Sequence, residues 1–385
     1  MLLLPCAVRR CRACFPPWHS AYRGTCAPRQ LPPPFCSQPF CANENQGKFS
    51  LAISAGSPNE AGAPLRVHYE RDLAHLLSPE SAHHILGVAG YGAARPAGLH
   101  PACPFIAAPL QPAVAGDKIF EVWTASTPAT HTQIGPVSGS CSAETAFGAL
   151  VLDEAGTIPL EQTVERAYLY IFDFLDQAGF REPIRFWNYL TAITEDEQGM
   201  ERYRRFNTGR QNAFTARLRQ PVPPAASGVG GHHGVSVIYF LAARTAAEAI
   251  ENPRQTSAYA YPPIYGPTSP SFSRACRHGP AGAQSLFISG TASIVGHETR
   301  HRGDVEAQLA ETMANLHALT KVAGCAGGPG DWAVKTYLRD PSCRETVDRA
   351  VTALFGPDSQ RIHLQGDICR ADLLLEIEAC HLPEP

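Results

Sequence analysis

The chain has 385 residues, of which 44% are hydrophobic and 17% charged, with a formal net charge of −3. This length holds two or three domains or one large two-lobed one, and its apolar content supports a packed core rather than a disordered polymer. The charge balance leaves no electrostatic footprint for nucleic acid, no apolar run reaches the roughly 18 residues that cross a bilayer, and a small anion would have to be met by local arginines.

Residues 1–60 are crowded with Cys, Pro and Arg and read as a disordered extension that carries no chemistry. Leu2–Leu4 is too short for a signal-peptide core, and Pro5 ends it. Cys11 and Cys14 have C-x-x-C spacing, but no second pair follows at zinc-ribbon or finger spacing. The later cysteines are scattered, which fits reduced thiols in a cytoplasmic protein better than a disulfide framework.

Past residue 100 the pattern becomes regular. IFEVWTAS (119–126) and FGALVLDEAG (147–156) read as strands, and LEQTVERAYLYIFDFLDQAGF (160–180) as a helix closing on Gly179. IRFWNYLTAI (184–193) predicts a strand, GMERYRRFNTGRQNAFTARL (199–218) a helix, RQPVPPAASGVGGHHG (219–234) a loop, and VSVIYFLAA (235–243) a strand. The second half repeats the order. LFISGTASIVG (286–296) is a strand, residues 303–324 a helix with Asp304 as N-cap, WAVKTYLRD (332–340) a strand, and residues 342–356 a helix ending at Gly356. RIHLQGDICRADLLLEIEAC (361–380) supplies the last two strands. The repeat predicts a duplicated α+β unit with mixed sheets packed on helices.

No dinucleotide fingerprint, phosphate loop or G-x-S-x-G elbow occurs. His232 and His233, being adjacent, cannot both face one ion from a strand, so no metal or cofactor is expected. LLLEIEAC alternates, placing Glu376 and Glu378 on one face and Leu375, Ile377 and Ala379 on the other. The pattern leaves two readings open: a wet polar face, or a carboxyl lining a pocket as a proton donor.

The second half resembles the RidA/YjgF fold (chorismate mutase-like), through GDVEAQLAETMANLHAL and the closing LLLEIEA. With RFWNYL, ERYRRFNTGRQNAF, ENPRQTSAYAYPPIYGPTSPSFSRA and FISGTASIVGHE in order, residues 65–382 resemble the chorismatase family, in particular its 3-hydroxybenzoate synthase branch. The resemblance implies two tandem RidA-like lobes, 61–250 and 251–385, the second carrying most of the active site. It also implies cleavage of chorismate to pyruvate and 3-hydroxybenzoate, with 4-hydroxybenzoate as a further product. The chain would work as a monomer or a homotrimer.

By the same resemblance Glu376 is the catalytic acid, and Gly290 (ISGTAS) and Cys369 (DICR) are the markers of the aromatising branch. Gly290 makes room opposite Cys369, which sets the ring's pose as a thiolate or only as a wall. Glu378 is expected to be solvated. Chorismate is a dianion, and the planar fork of Arg suits a carboxylate; Arg210 and Arg361 are the candidate ligands. Arg210 has a plainer alternative, since three other arginines crowd its ERYRRFNTGR helix and most must be solvated. Tyr203, Tyr261 and Tyr265 are candidate pocket-lining donors. Two alternatives stay open: hydrolysis of chorismate to 3,4-dihydroxycyclohexa-1,5-dienoate and pyruvate, and a RidA-like small-metabolite binding or imine-deaminating protein.

Overall fold

The strand Glu182–Thr191, buried along nearly its whole length, anchors one of two seven-stranded sheets. It belongs to a computed structural model describing residues 65–155, 158–231, 234–280, 283–325 and 331–382, all within one compact unit spanning 58–385. The 1–60 extension with Cys11 and Cys14, and the pair His232–His233, lie outside the described residues.

The first sheet runs, edge to edge, Asp367–Ile368, Ala225–Gly231, Glu182–Thr191, Val237–Ala243, Thr145–Val151, Val137–Cys141 and Thr130–Ile134. Helices α1 (Leu160–Ala178) and α2 (Arg202–Arg217) cover one of its faces, with Val164, Tyr168, Ile171, Phe174, Phe206 and Phe214 turned into the shared core. α1 stops where predicted, with Gly179 in the left-handed region at φ 76°.

The second sheet runs Glu248–Ile250, Ala275–His278, Ser285–Thr291, Leu375–His381, Trp332–Leu338, Gln360–Gln365 and Gln111–Pro112. Its helices are α3 (Val305–Ala323), capped by Asp304 accepting from the Ala307 N–H at 3.0 Å, and α4 (Arg344–Phe355). In each sheet one neighbouring pair is parallel, Ala225–Gly231 with Glu182–Thr191 and Gln360–Gln365 with Trp332–Leu338, so both sheets are mixed. The faces turned away from the helices share a further core built on Trp123, Trp187, Tyr239, Phe287 and Tyr337.

Three expectations change. Residues 225–231, read as loop, form a strand of the first sheet. Its glycines hid the pattern, yet packing demands them: a Cβ on Gly230 would sit 2.4 Å from Ile193 Cγ2. The region before residue 125, taken as regular only past 100, holds a four-stranded sheet of Arg66–Glu70, Ile119–Thr124, Ile85–Tyr91 and Phe105–Ala107. The closing strand Leu375–His381 has no wet face at all. Leu375, Ile377 and Ala379 pack towards α3 and α4, and Glu376 and Glu378 point the other way into the interior.

Candidate active site

A cavity of about 330 Å³ opens beside the closing strand, lined from both large sheets, from α2, and from the segments 261–274 and 369–372. Glu376 reaches into it and is only 4% exposed. Burial, and then the nearby Glu378 carboxylate, push its carboxyl up to about 8, against the opposing pull of Arg185 and Arg274. It therefore holds a proton at neutral pH while facing a space that can admit a small molecule. Gly290 lies against it: a Cβ there would meet Glu376 Oε1 at 1.8 Å.

Glu378 corrects the expectation of a solvated residue, being 2% exposed. Its Oε2 accepts from Ser227 Oγ at 2.5 Å, Arg185 Nη2 at 2.7 Å and Tyr337 Oη at 2.9 Å, and its Oε1 accepts from the Trp187 indole N–H at 2.6 Å. Lys335 Nζ stands 3.2 Å from Glu378 and 2.6 Å from Glu121. Burial opposes ionisation, but Lys335 and Arg185 outweigh it and hold the carboxyl down at about 2. The two carboxyls of one strand face thus take opposite protonation states, set by which of them the cations can reach.

Arg210 is buried on α2, lines the cavity, and has its guanidinium carbon 4.9 Å from the Phe206 ring centroid. It donates to Asn207 Oδ1 at 3.2 Å, and its Nε has no acceptor among the described residues. Of its neighbours on α2, Arg202 bridges Glu154 and Glu197 and Arg205 pairs with Glu161, while Arg204, its side chain 41% exposed, lines the cavity and pairs with Glu201 at 3.4 Å. Their charges are spent locally, leaving that of Arg210 for the cavity.

Tyr203, Tyr261 and Tyr265 all line the same space. Arg361 does not. Its Nε pairs with Asp348 at 3.1 Å and its Nη1 donates to the Pro357 and Ser359 carbonyls, so it ties down the turn after α4. Cys369 is in the lining, but burial, then Glu376, push its thiol up to about 12. At neutral pH the thiol therefore keeps its proton.

Arg274, Arg370 and Ser227 are among the lining residues that the sequence did not single out. Arg274, 3% exposed, donates to Tyr261 Oη and to the Thr256 carbonyl, both at 2.8 Å, with its Nε unpaired. Arg370 lies 4.1 Å from the Tyr265 ring centroid and donates to the His297 carbonyl at 2.9 Å. Ser227 sits on the strand mistaken for a loop and accepts from the Gly290 N–H at 2.9 Å. A usable signal existed for the interior network: Arg185 and Lys335 interrupt strongly apolar strands, as the two glutamates do, and Lys335 lies directly opposite Glu378 in register. No helix of the described residues is long and apolar enough to cross a membrane.

Residues 121–242 match the family described as chorismatase FkbO/Hyg5-like, N-terminal. A 3-hydroxybenzoate synthase of Streptomyces hygroscopicus is 34% identical over 277 residues, which is 68% of this chain and 81% of that protein. A chorismatase of Streptomyces rapamycinicus is 36% identical over 278 residues, 68% of this chain and 82% of its own length. A chorismatase crystal structure matches with a TM-score of 0.74 at 29% identity, covering 84% of this chain and 99% of that one. Likeness at this level, spread over most of each protein, means that the chain belongs to the chorismatase family.

Proposed function

We propose that this protein converts chorismate to 3-hydroxybenzoate and pyruvate, with Glu376 as the general acid. The observation that carries the reading is a buried, protonated Glu376 facing a cavity in which Arg210 and Arg274 keep unspent donors. The acidic groups on the lining do not cancel those cations. Glu376 holds its proton, Glu201 is paired with Arg204 at 3.4 Å, and Asp372 is paired with Arg302 at 3.0 Å. A dianion with an acid-labile enol ether fits that balance.

Chorismate contains the same atoms as 3-hydroxybenzoate plus pyruvate, so the conversion consumes no net water. The C3–O ether bond must break with the C4 hydroxyl oxygen taking its place on C3, and the C4–O bond must then open. One proton must reach the enolpyruvyl methylene carbon and one hydrogen must leave the ring. Glu376 delivers the first and is reprotonated by the second. Hydrolysis to the diol acid would instead add one water. Cys369, as an apolar wall beside the acid, supports the water-free course. Residues from both 61–250 and 251–385 line the cavity.

The test is incubation of the purified protein with chorismate. Pyruvate is followed by coupled oxidation of NADH with lactate dehydrogenase, and chromatography separates the aromatic acid from the diene. Pyruvate with an equimolar aromatic acid is the expected result. Pyruvate with the diene alone would move the protein to the hydrolytic reaction, and no pyruvate would remove it from this chemistry.

A further inference from the structure

Glu121, Arg185, Lys335 and Glu378 lie fully inside the protein, where ion pairs are an inefficient source of stability. Apolar residues of equal volume often hold a fold as well or better. The network therefore calls for another reason, and its position offers one. Glu378 stands two residues from Glu376 on the same strand face. It accepts from Ser227 Oγ, and that oxygen in turn accepts from the N–H of Gly290, the residue whose Cα abuts the Glu376 carboxyl.

The ionisable groups around Glu376 come from several elements. Arg185 belongs to the strand Glu182–Thr191, Arg274 precedes the strand Ala275–His278, and both favour the ionised form. Tyr203 of α2 and Cys369 stay protonated through burial. Of these neighbours only Glu378 brings a negative charge. Four groups of balanced sign already fill the interior, and a third carboxylate would leave it net negative.

Resting on the reading of Glu376 as the acid, we propose that Glu378 is a positioning residue for it. The Glu378 anion sets the pH at which Glu376 ionises, and its hydrogen bond from Ser227 holds the Gly290 backbone against which the acid rests. Glu378 touches no substrate in this account; it acts through Glu376 and Gly290.

The experiment is the pH dependence of pyruvate release for the wild type, Glu378→Gln, Glu378→Asp and Glu376→Gln. It is joined to carboxyl ¹³C NMR titration of glutamate-labelled protein, in which Glu376→Gln identifies the Glu376 resonance. Removing the neighbouring anion should move the basic limb, and the Glu376 midpoint, down by about one pH unit in Glu378→Gln. Glu378→Asp, which keeps the charge, should restore both. If Glu378→Gln does not fold, Glu378→Gln/Lys335→Gln removes one charge of each sign and should still show a downward shift. Variants whose limb and midpoint coincide with the wild type, however much stability they lose, would overturn the proposal and leave Glu378 a structural ion pair. Undiminished pyruvate release by Glu376→Gln would instead overturn the acid assignment, and the NMR midpoint would still report whether the two carboxyls are coupled.

Discussion

A methyl group on Gly290 would lie 1.8 Å from Glu376 Oε1 and 2.6 Å from its Cδ, closer than any real contact allows. The backbone at 290 lies outside the left-handed region, so alanine is not strained there, and the nearest atoms it would strike are the carboxyl end of Glu376, with Ser227 Oγ next at 3.1 Å. Alanine at 290 should therefore be tolerated by the fold and displace the acid. The sequence reading treated Gly290 as one wall of the ring's pocket; the geometry makes it the surface that fixes where the proton is held.

It follows that Gly290→Ala should melt within a few degrees of the wild type but change its products. With the carboxyl pushed aside, the match between proton delivery and ring aromatisation is lost. The share of pyruvate accompanied by 3-hydroxybenzoate should fall, and a diene acid should appear in its place by chromatography. An unchanged product ratio would mean that Glu376 finds an equivalent rotamer and that residue 290 has no say in the outcome.

Arg210 and Arg361 make a matched pair of tests. Truncating Arg210 leaves a substrate carboxylate half satisfied in a buried site, at a cost of about 2–4 kcal/mol in kcat/KM. Arg361→Ala removes only the clamp on the turn after α4. It should lower the melting temperature and leave kcat/KM within about twofold, because no lining residue depends on it. Equal losses of kcat/KM in both variants would contradict the assignment of Arg210 as a ligand.

Glu376 also has a signature in stability. Its folded carboxyl titrates near 8, well above the usual value near 4.5. Below the unfolded value both states are protonated and the group is neutral in effect. As pH rises from about 4.5 to about 8 the unfolded chain releases a proton that the fold retains, so the wild type loses stability across that window. Glu376→Gln lacks this dependence. Its melting temperature should exceed that of the wild type by a margin that widens between pH 4.5 and pH 8, while pyruvate release falls by roughly 10²-fold or more. Glu378 runs in the opposite sense: with its carboxyl held at about 2, its contribution is present above about 4.5 and lost as pH falls towards 2. Parallel melting curves for wild type and Glu376→Gln across that range would show that the carboxyl is not held protonated.

Much of this was legible in the sequence for physical reasons. The long helices announced themselves by spacing and by their ends, Gly179 and Asp304, because caps are local chemistry. Seven of the eight named site residues meet in one cavity, since the motifs that carried the resemblance sit on the elements that wall it. What failed depended on contacts distant in sequence. Ala225–Gly231 has no strand signal because its glycines answer to Ile193 and to other neighbours across the fold. Glu378 looked like a surface residue because its partners, Arg185, Ser227 and Lys335, lie 193, 151 and 43 positions away and nothing local shows them converging. Arg361 was misplaced because a charge at the head of a strand can serve a turn as readily as a ligand.

Cys369 gives the last prediction. Its thiol is held protonated, chiefly by burial, and we propose that it acts through bulk and not as a nucleophile. Cys369→Ser keeps the volume nearly unchanged and removes the sulfur, and should release pyruvate at a rate within about tenfold of the wild type, with 3-hydroxybenzoate still the main ring product. Cys369→Ala removes the wall beside the acid and opens room for a water near the reacting ether. Total pyruvate should persist while the ring product shifts from 3-hydroxybenzoate to the diol acid, and ¹⁸O from labelled solvent water should enter the products as the diol fraction grows. Abolished pyruvate release in both variants would point to a chemical duty for the sulfur. An unchanged product in Cys369→Ala would place the choice between aromatisation and hydrolysis with Gly290 and the position of Glu376.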